Sequence, residues 1–153
     1  MITLILGGAR SGKSSFAEKL AQKKGGNEVY YLATAEAKDE EMKIRIEKHQ
    51  EQRNKKWKTI EEPLSVGEVL YSLPKDEVVL VDCITVYISN LLFLNSGEQD
   101  EKIDFKAKEK LIMKKMKKLV NASKNKEIIL VSNEVGMGIV PGNEMAREFR
   151  DIA

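Results

Sequence analysis

Eight residues near the start of the chain have the types and spacing of a loop that binds phosphate. A glycine is followed by four residues and then by Gly-Lys-Ser, the pattern of a nucleotide-binding phosphate loop. Glycines let the backbone curl so that successive N–H groups point at an anion. The lysine adds a positive charge, and the serine hydroxyl can bind the magnesium that a triphosphate carries. The predicted nucleotide-binding residues are therefore Gly7, Gly8, Ala9, Arg10, Ser11, Gly12, Lys13 and Ser14, with Lys13 catalytic and Ser14 a metal ligand.

A strand and a helix must hold this loop in place. The apolar run 2–6 leads into it, and apolar residues at helical spacing follow it, namely Phe16, Ala17, Leu20 and Ala21. A helix starting near Lys13 would add about half a positive charge at its N-terminus. A glycine turn that binds nothing is the alternative, but a strand before the loop and a helix after it favour nucleotide binding.

A second strand ends in an acid. Four apolar residues, 78–81, are followed by Asp82. In phosphate-loop proteins a carboxylate at the end of a buried strand meets the magnesium directly or through water. We therefore predict Asp82 as the second metal-site residue.

The only histidine of the chain lies in a highly charged segment. Met42, Ile46, His49 and Arg53 share one face of a helix, with Arg45 one turn before the histidine. Two arginines would attract a phosphate to the ring, and an imidazole beside a phosphate is a possible nucleophile. From the residues alone, an ordinary surface histidine is the simpler interpretation. Glu61 likewise could accept hydrogen bonds from a base or ribose, or be a loop carboxylate in solvent.

The order of the remaining segments predicts the fold class. Strand-type runs at 29–33, 78–82 and 128–131 alternate with helical patterns, which is typical of a single α/β domain, here 1–153, with a mostly parallel sheet and helices on both faces. The loops after parallel strands line the binding crevice, so Asn133 and Glu134 should face the same cleft as Ser14 and Asp82. The segment 84–94 is apolar nearly all round, which predicts a buried or interface helix.

Composition excludes several classes. The 153 residues are 33% charged with a formal net charge of +2, so no global charge favours nucleic acid or an acidic membrane surface. The lysine-rich segment 101–126 is interpreted as a solvated helix. The single cysteine, Cys83, excludes a disulfide within the chain and suggests a core residue. No leader pattern or membrane-spanning apolar run is present in the sequence, so we expect a cytoplasmic protein.

Several stretches together resemble one family. They are GGARSGKS, YLATAE, DEEMKIRIEKH, VDCITVYISNLL and SNEVGMGIVP. The family is the bifunctional adenosylcobinamide kinase and adenosylcobinamide-phosphate guanylyltransferase of cobalamin synthesis, and the resemblance covers essentially the whole chain. It implies a RecA-like P-loop NTPase fold, the corrinoid adenosylcobinamide as substrate, ATP and GTP as nucleotide substrates and Mg²⁺ as cofactor.

The resemblance also assigns residues. The pattern R-I-x-x-H implies that His49 becomes covalently guanylylated. Besides the phosphate loop, the implied nucleotide-binding residues are Ala33, Thr34, Ala35, Gln50, Glu51, Gln52, Arg53, Glu61 and Asp82. The family also implies a homotrimer, which the apolar helix 84–94 would suit.

The chain departs from the family in two places. Many relatives have two adjacent histidines where this chain has Lys48-His49, which leaves His49 as the sole candidate. Relatives also continue beyond residues 150–153 with the rest of a helix and a final strand. We therefore expect this chain to be short by a strand and to have an uncovered sheet edge.

Two other functions stay open at this point. One is a P-loop kinase of another small metabolite without covalent guanylylation, in which His49 has no role. The other is an ATPase that binds nucleic acid along the lysine-rich helix. The near-neutral charge and the lack of stacking aromatic residues argue against nucleic acid as a partner.

Overall fold

The computed structural model describes residues 1–37, 39–95 and 103–153, without the side chains of Arg45 and Gln52. These residues form five strands and six helices in the order β1 (Ile2–Gly7), α1 (Lys13–Gly25), β2 (Val29–Ala33), α2 (Glu40–Gln52), β3 (Lys58–Glu61), α3 (Val66–Ser72), β4 (Val78–Asp82), α4 (Ile84–Leu92), α5 (Phe105–Ala122), β5 (Glu127–Asn133) and α6 (Glu144–Ile152).

The five strands form one parallel sheet in the order β1-β5-β4-β2-β3. The predicted α/β fold is confirmed, and its sheet is parallel throughout. Parallel register brings the carboxyl ends of the strands to one edge: Gly7 pairs with Asn133, and Ala33 pairs with both Asp82 and Glu61. The phosphate loop and Asp82 therefore lie at the same end of the sheet, as expected for a ligand crevice.

Helix α1 covers one face of the sheet. Its small residues Ala17 and Ala21 are fully buried and pack in a cluster with Leu80 and Val131 of the central strands. Because alanine side chains are short, the helix axis can approach the sheet closely. This packing fixes the direction in which α1 points its N-terminus, and with it the phosphate loop.

Helices α3, α4 and α5 cover the other face. Tyr87, Leu91 and Leu92 of α4 are fully buried in the larger core cluster, together with Leu119 of α5. Burying each such side chain stabilises the fold by about 1.5–3 kcal/mol. The apolar helix 84–94, expected to be buried or at an interface, is a core helix in this chain. The homotrimer stays a prediction, and α4 has little surface left to support it.

Strand β1 forms one edge of the sheet within the described part of the chain. Its alternate residues Ile2, Leu4 and Leu6 are 41%, 57% and 58% exposed. These side chains point to one face of the sheet, so that face of β1 is uncovered. In the described residues β1 pairs only with β5, which agrees with an uncovered edge. That this chain lacks the last strand of its relatives, and that residues 1–153 are one domain, stay predictions. None of the helices in the described ranges is both long and apolar enough to cross a membrane.

Candidate active site

The backbone of the phosphate loop depends on glycine at two positions. Gly12 has φ +82° directly before the first residue of α1, a conformation that side chains with a Cβ disfavour. A Cβ on Gly7 would lie only 2.9 Å from Ser11 Oγ. The loop therefore turns tightly between β1 and α1.

Two positive groups face the space beside this loop. Lys13 crosses the loop and donates from Nζ to the carbonyl oxygen of Gly8 at 3.1 Å. The first turn of α1 contains no acidic residue, so the partial charge at the helix N-terminus is not offset by a carboxylate there. Both features favour a bound phosphate.

A cleft of about 570 Å³ opens above the loop. The predicted site residues that line it are Ala9, Arg10, Ser11, Gly12, Lys13, Ser14, Ala35, His49, Arg53 and Asp82. They come from the phosphate loop, the ends of β2 and β4, and helix α2. Tertiary structure thus brings the loop, the strand-end acid and the single histidine into one cleft.

The other predicted binding residues whose side chains the structure describes do not line the cleft. Gly7 and Gly8 belong to β1 and the start of the loop. Ala33 and Thr34 are buried, Glu51 is exposed, and exposed Gln50 donates from Nε2 to Glu61 Oε1 at 2.9 Å. The side chain of Gln52 lies outside the described part of the structure. Contact of these residues with a nucleotide stays a prediction.

Helix α2 presents His49 to the cleft. The Asp39 side chain caps the helix by accepting from the backbone nitrogen of Met42 at 2.7 Å. Met42 and Ile46 also line the cleft, so the predicted helical face is confirmed. Among the side chains described for α2, none is fully buried. The imidazole of His49 is exposed and therefore accessible to a ligand in the cleft.

Arg53 lies against Tyr31 at the end of α2. Its Cζ is 4.0 Å from the centroid of the Tyr31 ring. Its Nε and Nη1 are buried, and neither has a hydrogen-bond partner in the described residues. Because buried donors are normally paired, two unpaired guanidinium N–H groups in the wall of a cleft fit an anionic ligand such as phosphate.

Tyr31 also contacts the predicted metal site. Its hydroxyl donates to Asp82 Oδ2 at 2.9 Å. Burial first, and then the nearby Asp82 carboxylate, raise the pKa of Tyr31 far above its usual value. The hydroxyl therefore keeps its proton and can donate it in this hydrogen bond.

The Thr34 side chain joins the ends of β2 and β4. Its Oγ1 donates to the carbonyl oxygen of Cys83 at 2.8 Å and accepts from the Cys83 nitrogen at 2.9 Å. The Asn90 side chain in turn donates to the Thr34 carbonyl oxygen at 2.8 Å. These bonds fix the backbone that immediately follows Asp82.

Cys83 differs in part from its predicted role as a core residue. It packs against the α1 side of the core but is only half-buried and also lines the cleft. Burial raises the pKa of its thiol. At neutral pH the sulfur therefore stays protonated and is a poor nucleophile.

Ser14 and Asp82 could hold a magnesium ion. Both line the cleft, and hydroxyl and carboxylate oxygens are ligands that Mg²⁺ prefers. In the described ranges no group of three His, Cys, Asp or Glu side chains could bind a metal. Mg²⁺ typically uses one or two protein oxygens together with water and substrate phosphates, so this sparse donor set fits it.

Sequence reasoning was right about one loop residue and wrong about another. Asn133 lines the cleft as predicted. Glu134 does not, because its Oε1 accepts from the backbone nitrogens of Gly136 and Met137 at 2.6 and 2.8 Å. That carboxylate closes its own glycine-rich loop, as side-chain acceptors often do in turns.

Sequence reasoning missed Tyr31 as a site residue. In the sequence it belongs to the apolar run 29–33, which predicts only a buried strand. It pairs with Leu80 in the sheet, and the length of its side chain brings its hydroxyl to Asp82. A phenol group within a buried strand is the one available signal, because a buried tyrosine hydroxyl usually finds a partner.

Comparison with known proteins places the chain in a family. Residues 3–153 match the model of the CobU family, cobinamide kinase / cobinamide phosphate guanyltransferase. The bifunctional adenosylcobalamin biosynthesis protein CobU of Escherichia coli strain K12 is 41% identical over 157 residues, covering 100% of this chain and 86% of the relative. CobU of Salmonella typhimurium strain LT2 is 42% identical with the same coverage.

A third relative has a different name and the same description. The bifunctional adenosylcobalamin biosynthesis protein CobP of Pseudomonas aeruginosa strain PAO1 is 41% identical over 154 residues, covering 100% of this chain and 83% of the relative. The family model and the three relatives together span every element that forms the cleft. The chain therefore belongs to the cobinamide kinase / cobinamide phosphate guanyltransferase family.

Proposed function

We propose that this chain phosphorylates adenosylcobinamide and then transfers GMP from GTP to the product through a covalent intermediate on His49. One observation supports this assignment of residues: the phosphate loop, Asp82 and the exposed His49 line the same cleft. Membership of the family supplies the two activities, and the cleft contains groups suited to each.

The kinase step needs positioning and charge neutralisation more than covalent help. The substrate hydroxyl oxygen attacks the γ-phosphorus of ATP or GTP and its proton is released. The bond from that phosphorus to the bridging oxygen breaks, and the nucleoside diphosphate leaves. Backbone N–H groups of the loop and the Lys13 ammonium stabilise the negative charge. Arg53, with two unpaired buried N–H groups, is positioned to bind another phosphate oxygen.

The guanylyl step uses His49 as nucleophile. A ring nitrogen attacks the α-phosphorus of GTP, the bond to the bridging oxygen breaks, and pyrophosphate leaves. A phosphate oxygen of adenosylcobinamide phosphate then attacks the same phosphorus, the P–N bond breaks, and adenosylcobinamide-GDP and free His49 result. Covalent catalysis divides one difficult displacement into two easier ones.

Three further properties belong to this proposal. Ser14 and Asp82 would hold Mg²⁺, which when bound neutralises charge on the phosphates. The family resemblance supports a homotrimer, whose interface would use a surface other than the buried α4. The nucleotide substrates support a cytoplasmic location.

Labelled GTP tests the covalent step directly. The wild-type protein, His49→Asn and Lys43→Ala are each incubated with Mg²⁺ and GTP labelled at the α- or the γ-phosphate. Lys43 is the matched control because it is exposed on the same helix and lies outside the cleft lining. We expect acid-labile label from the α-position on the wild type and on Lys43→Ala, and none on His49→Asn.

Two results would contradict the assignment. Equal α-labelling of His49→Asn would exclude His49 as the nucleophile. Absence of label on the wild type from either position, with GTP still bound, would favour a plain phosphoryl transfer without guanylylation. Circular dichroism of the three proteins checks that any loss of label is not a loss of fold.

A further inference from the structure

We propose that Tyr31 is a positioning residue whose hydroxyl orients the Asp82 carboxylate for magnesium. The inference rests on the proposed function, because Asp82 has this role only if the cleft binds a metal–nucleotide complex. Neither the family description nor the motifs assign any role to Tyr31.

The hydroxyl makes a directed contact with the acid. Tyr31 is 1% exposed, and its OH donates to Asp82 Oδ2 at 2.9 Å. A hydrogen bond to an ionised acceptor is shorter and stronger than one between neutral groups. It engages one carboxylate oxygen and orients the group, which leaves Oδ1 available to a cation in the cleft.

The Tyr31 ring is itself fixed by neighbours, so its hydroxyl has a defined position. The Arg53 guanidinium lies over the ring at 4.0 Å, and the Trp57 ring stacks with it at a centroid distance of 6.4 Å and an interplanar angle of 27°. Trp57 is anchored in turn by Nε1, which donates to the Gly26 carbonyl oxygen at 3.0 Å. A group fixed in advance needs no reorganisation when its ligand binds.

Asp82 is also fixed from its backbone side. Its partners across the sheet are Ala33 and Val131, and the following residue, Cys83, is bonded twice to Thr34. The Thr34 bonds hold the backbone next to Asp82 in position, and the Tyr31 hydroxyl orients the Asp82 carboxylate. Outer contacts of this kind orient metal ligands in proteins, and their loss costs metal affinity.

The chain contains a matched control for removing this hydroxyl. Tyr87 is also a fully buried tyrosine, but its hydroxyl has no hydrogen-bond partner in the described residues. Tyr31→Phe and Tyr87→Phe therefore each delete one buried oxygen and keep the ring. Only the first deletes a contact to Asp82.

The experiment measures binding of guanosine 5′-(α,β-methylene)triphosphate, which His49 cannot cleave, by titration calorimetry with Mg²⁺ and with EDTA. The readout is the dissociation constant with EDTA divided by that with Mg²⁺. A larger ratio means a larger contribution of the metal to binding. We expect Tyr31→Phe to lower this ratio about tenfold, as for loss of one hydrogen bond to a charged group. We expect Tyr87→Phe to leave it within about twofold of the wild type.

A double variant tests whether Tyr31 acts through Asp82. In the Asp82→Asn background, Tyr31→Phe should have no further effect on the ratio, because the oriented carboxylate is already absent. A full additional loss would overturn the inference. So would a Tyr31→Phe protein whose affinity falls by the same factor with Mg²⁺ and with EDTA, because a ratio unchanged from wild type indicates a structural role only.

The failure of the proposed function looks different. If the wild type binds the analogue in neither condition, or without any effect of Mg²⁺, the metal–nucleotide site itself is wrong. If the wild type shows a clear Mg²⁺ effect and Tyr31→Phe retains all of it, the site stands and the role of Tyr31 is refuted.

Discussion

Replacing Thr34 by valine should reveal how strongly its hydroxyl braces the site. Thr34 is implied as a nucleotide-binding residue by the family resemblance, yet its side chain is fully buried and bonded to Cys83. Valine has nearly the same shape, so the substitution creates no cavity. It removes only the hydroxyl that joins β2 to β4.

The expected cost follows from the two lost hydrogen bonds. The Cys83 N–H loses its partner, and an unpaired buried polar group costs about 1–3 kcal/mol. The Cys83 carbonyl oxygen loses one bond but still accepts from the Tyr87 backbone nitrogen at 3.1 Å. Because Cys83 is half-buried, we expect the lower part of this range for the N–H and less than about 1 kcal/mol for the carbonyl group, or about 1.5–2 kcal/mol in total. For a chain of this length that corresponds to a fall in Tm of roughly 3–8 °C.

Urea unfolding followed by circular dichroism measures this cost, with two controls. Thr34→Ser keeps the hydroxyl and loses one buried methyl, so it should cost only about 1 kcal/mol. Thr59→Val lies on the exposed edge strand β3 and should change the free energy of unfolding by less than about 0.5 kcal/mol. A Thr34→Val protein as stable as the wild type would refute the bracing role.

Two further predictions concern the α3–α5 side of the core. Burial alone would raise the pKa of Glu68, but hydrogen bonds from Lys115 and Lys118 outweigh it and lower that pKa to about 2. The resulting stabilisation is present above pH 4.5 and is lost as the pH falls towards 2. The difference in unfolding free energy between wild type and Glu68→Gln should therefore shrink from pH 6 to pH 3. A difference that stays constant over this range would contradict the prediction. A Cβ on Gly67 would lie 2.9 Å from a backbone nitrogen of α5, so Gly67→Ala should lower the free energy of unfolding in urea by about 1–3 kcal/mol. Gly138→Ala is the control, because a Cβ there meets open space. Equal stability of the two variants would exclude the clash.

Some site residues could be predicted because their chemistry depends on local sequence. The spacing from Gly7 to Ser14 specifies a backbone that curls around phosphate, and Asp82 directly follows an apolar strand. Both features are encoded within a few residues. Their presence at the same cleft could also be inferred, because parallel strands end at one edge.

Other features depend on packing between distant segments. Tyr31 and Asp82 are 51 residues apart, and only the register of β2 with β4 brings their side chains together. Glu134 is an acidic residue that follows a strand end, as Asp82 nearly does, but its carboxylate accepts hydrogen bonds from its own loop. Side-chain direction of this kind depends on local turn geometry, which the spacing of residues does not specify.

His49 shows most clearly what each level decided. By itself the sequence determined the fold class, the phosphate loop, the strand-end acid and, through the resemblance, the family, because these depend on short patterns of glycine, charge and apolar residues. Only the tertiary structure decided that His49 lines the cleft with the loop, that Thr34 is a brace, and that Tyr31 joins Arg53 to Asp82. The physical reason is that hydrogen bonds and ring contacts between residues far apart in the chain exist only after the sheet has brought their strands into register.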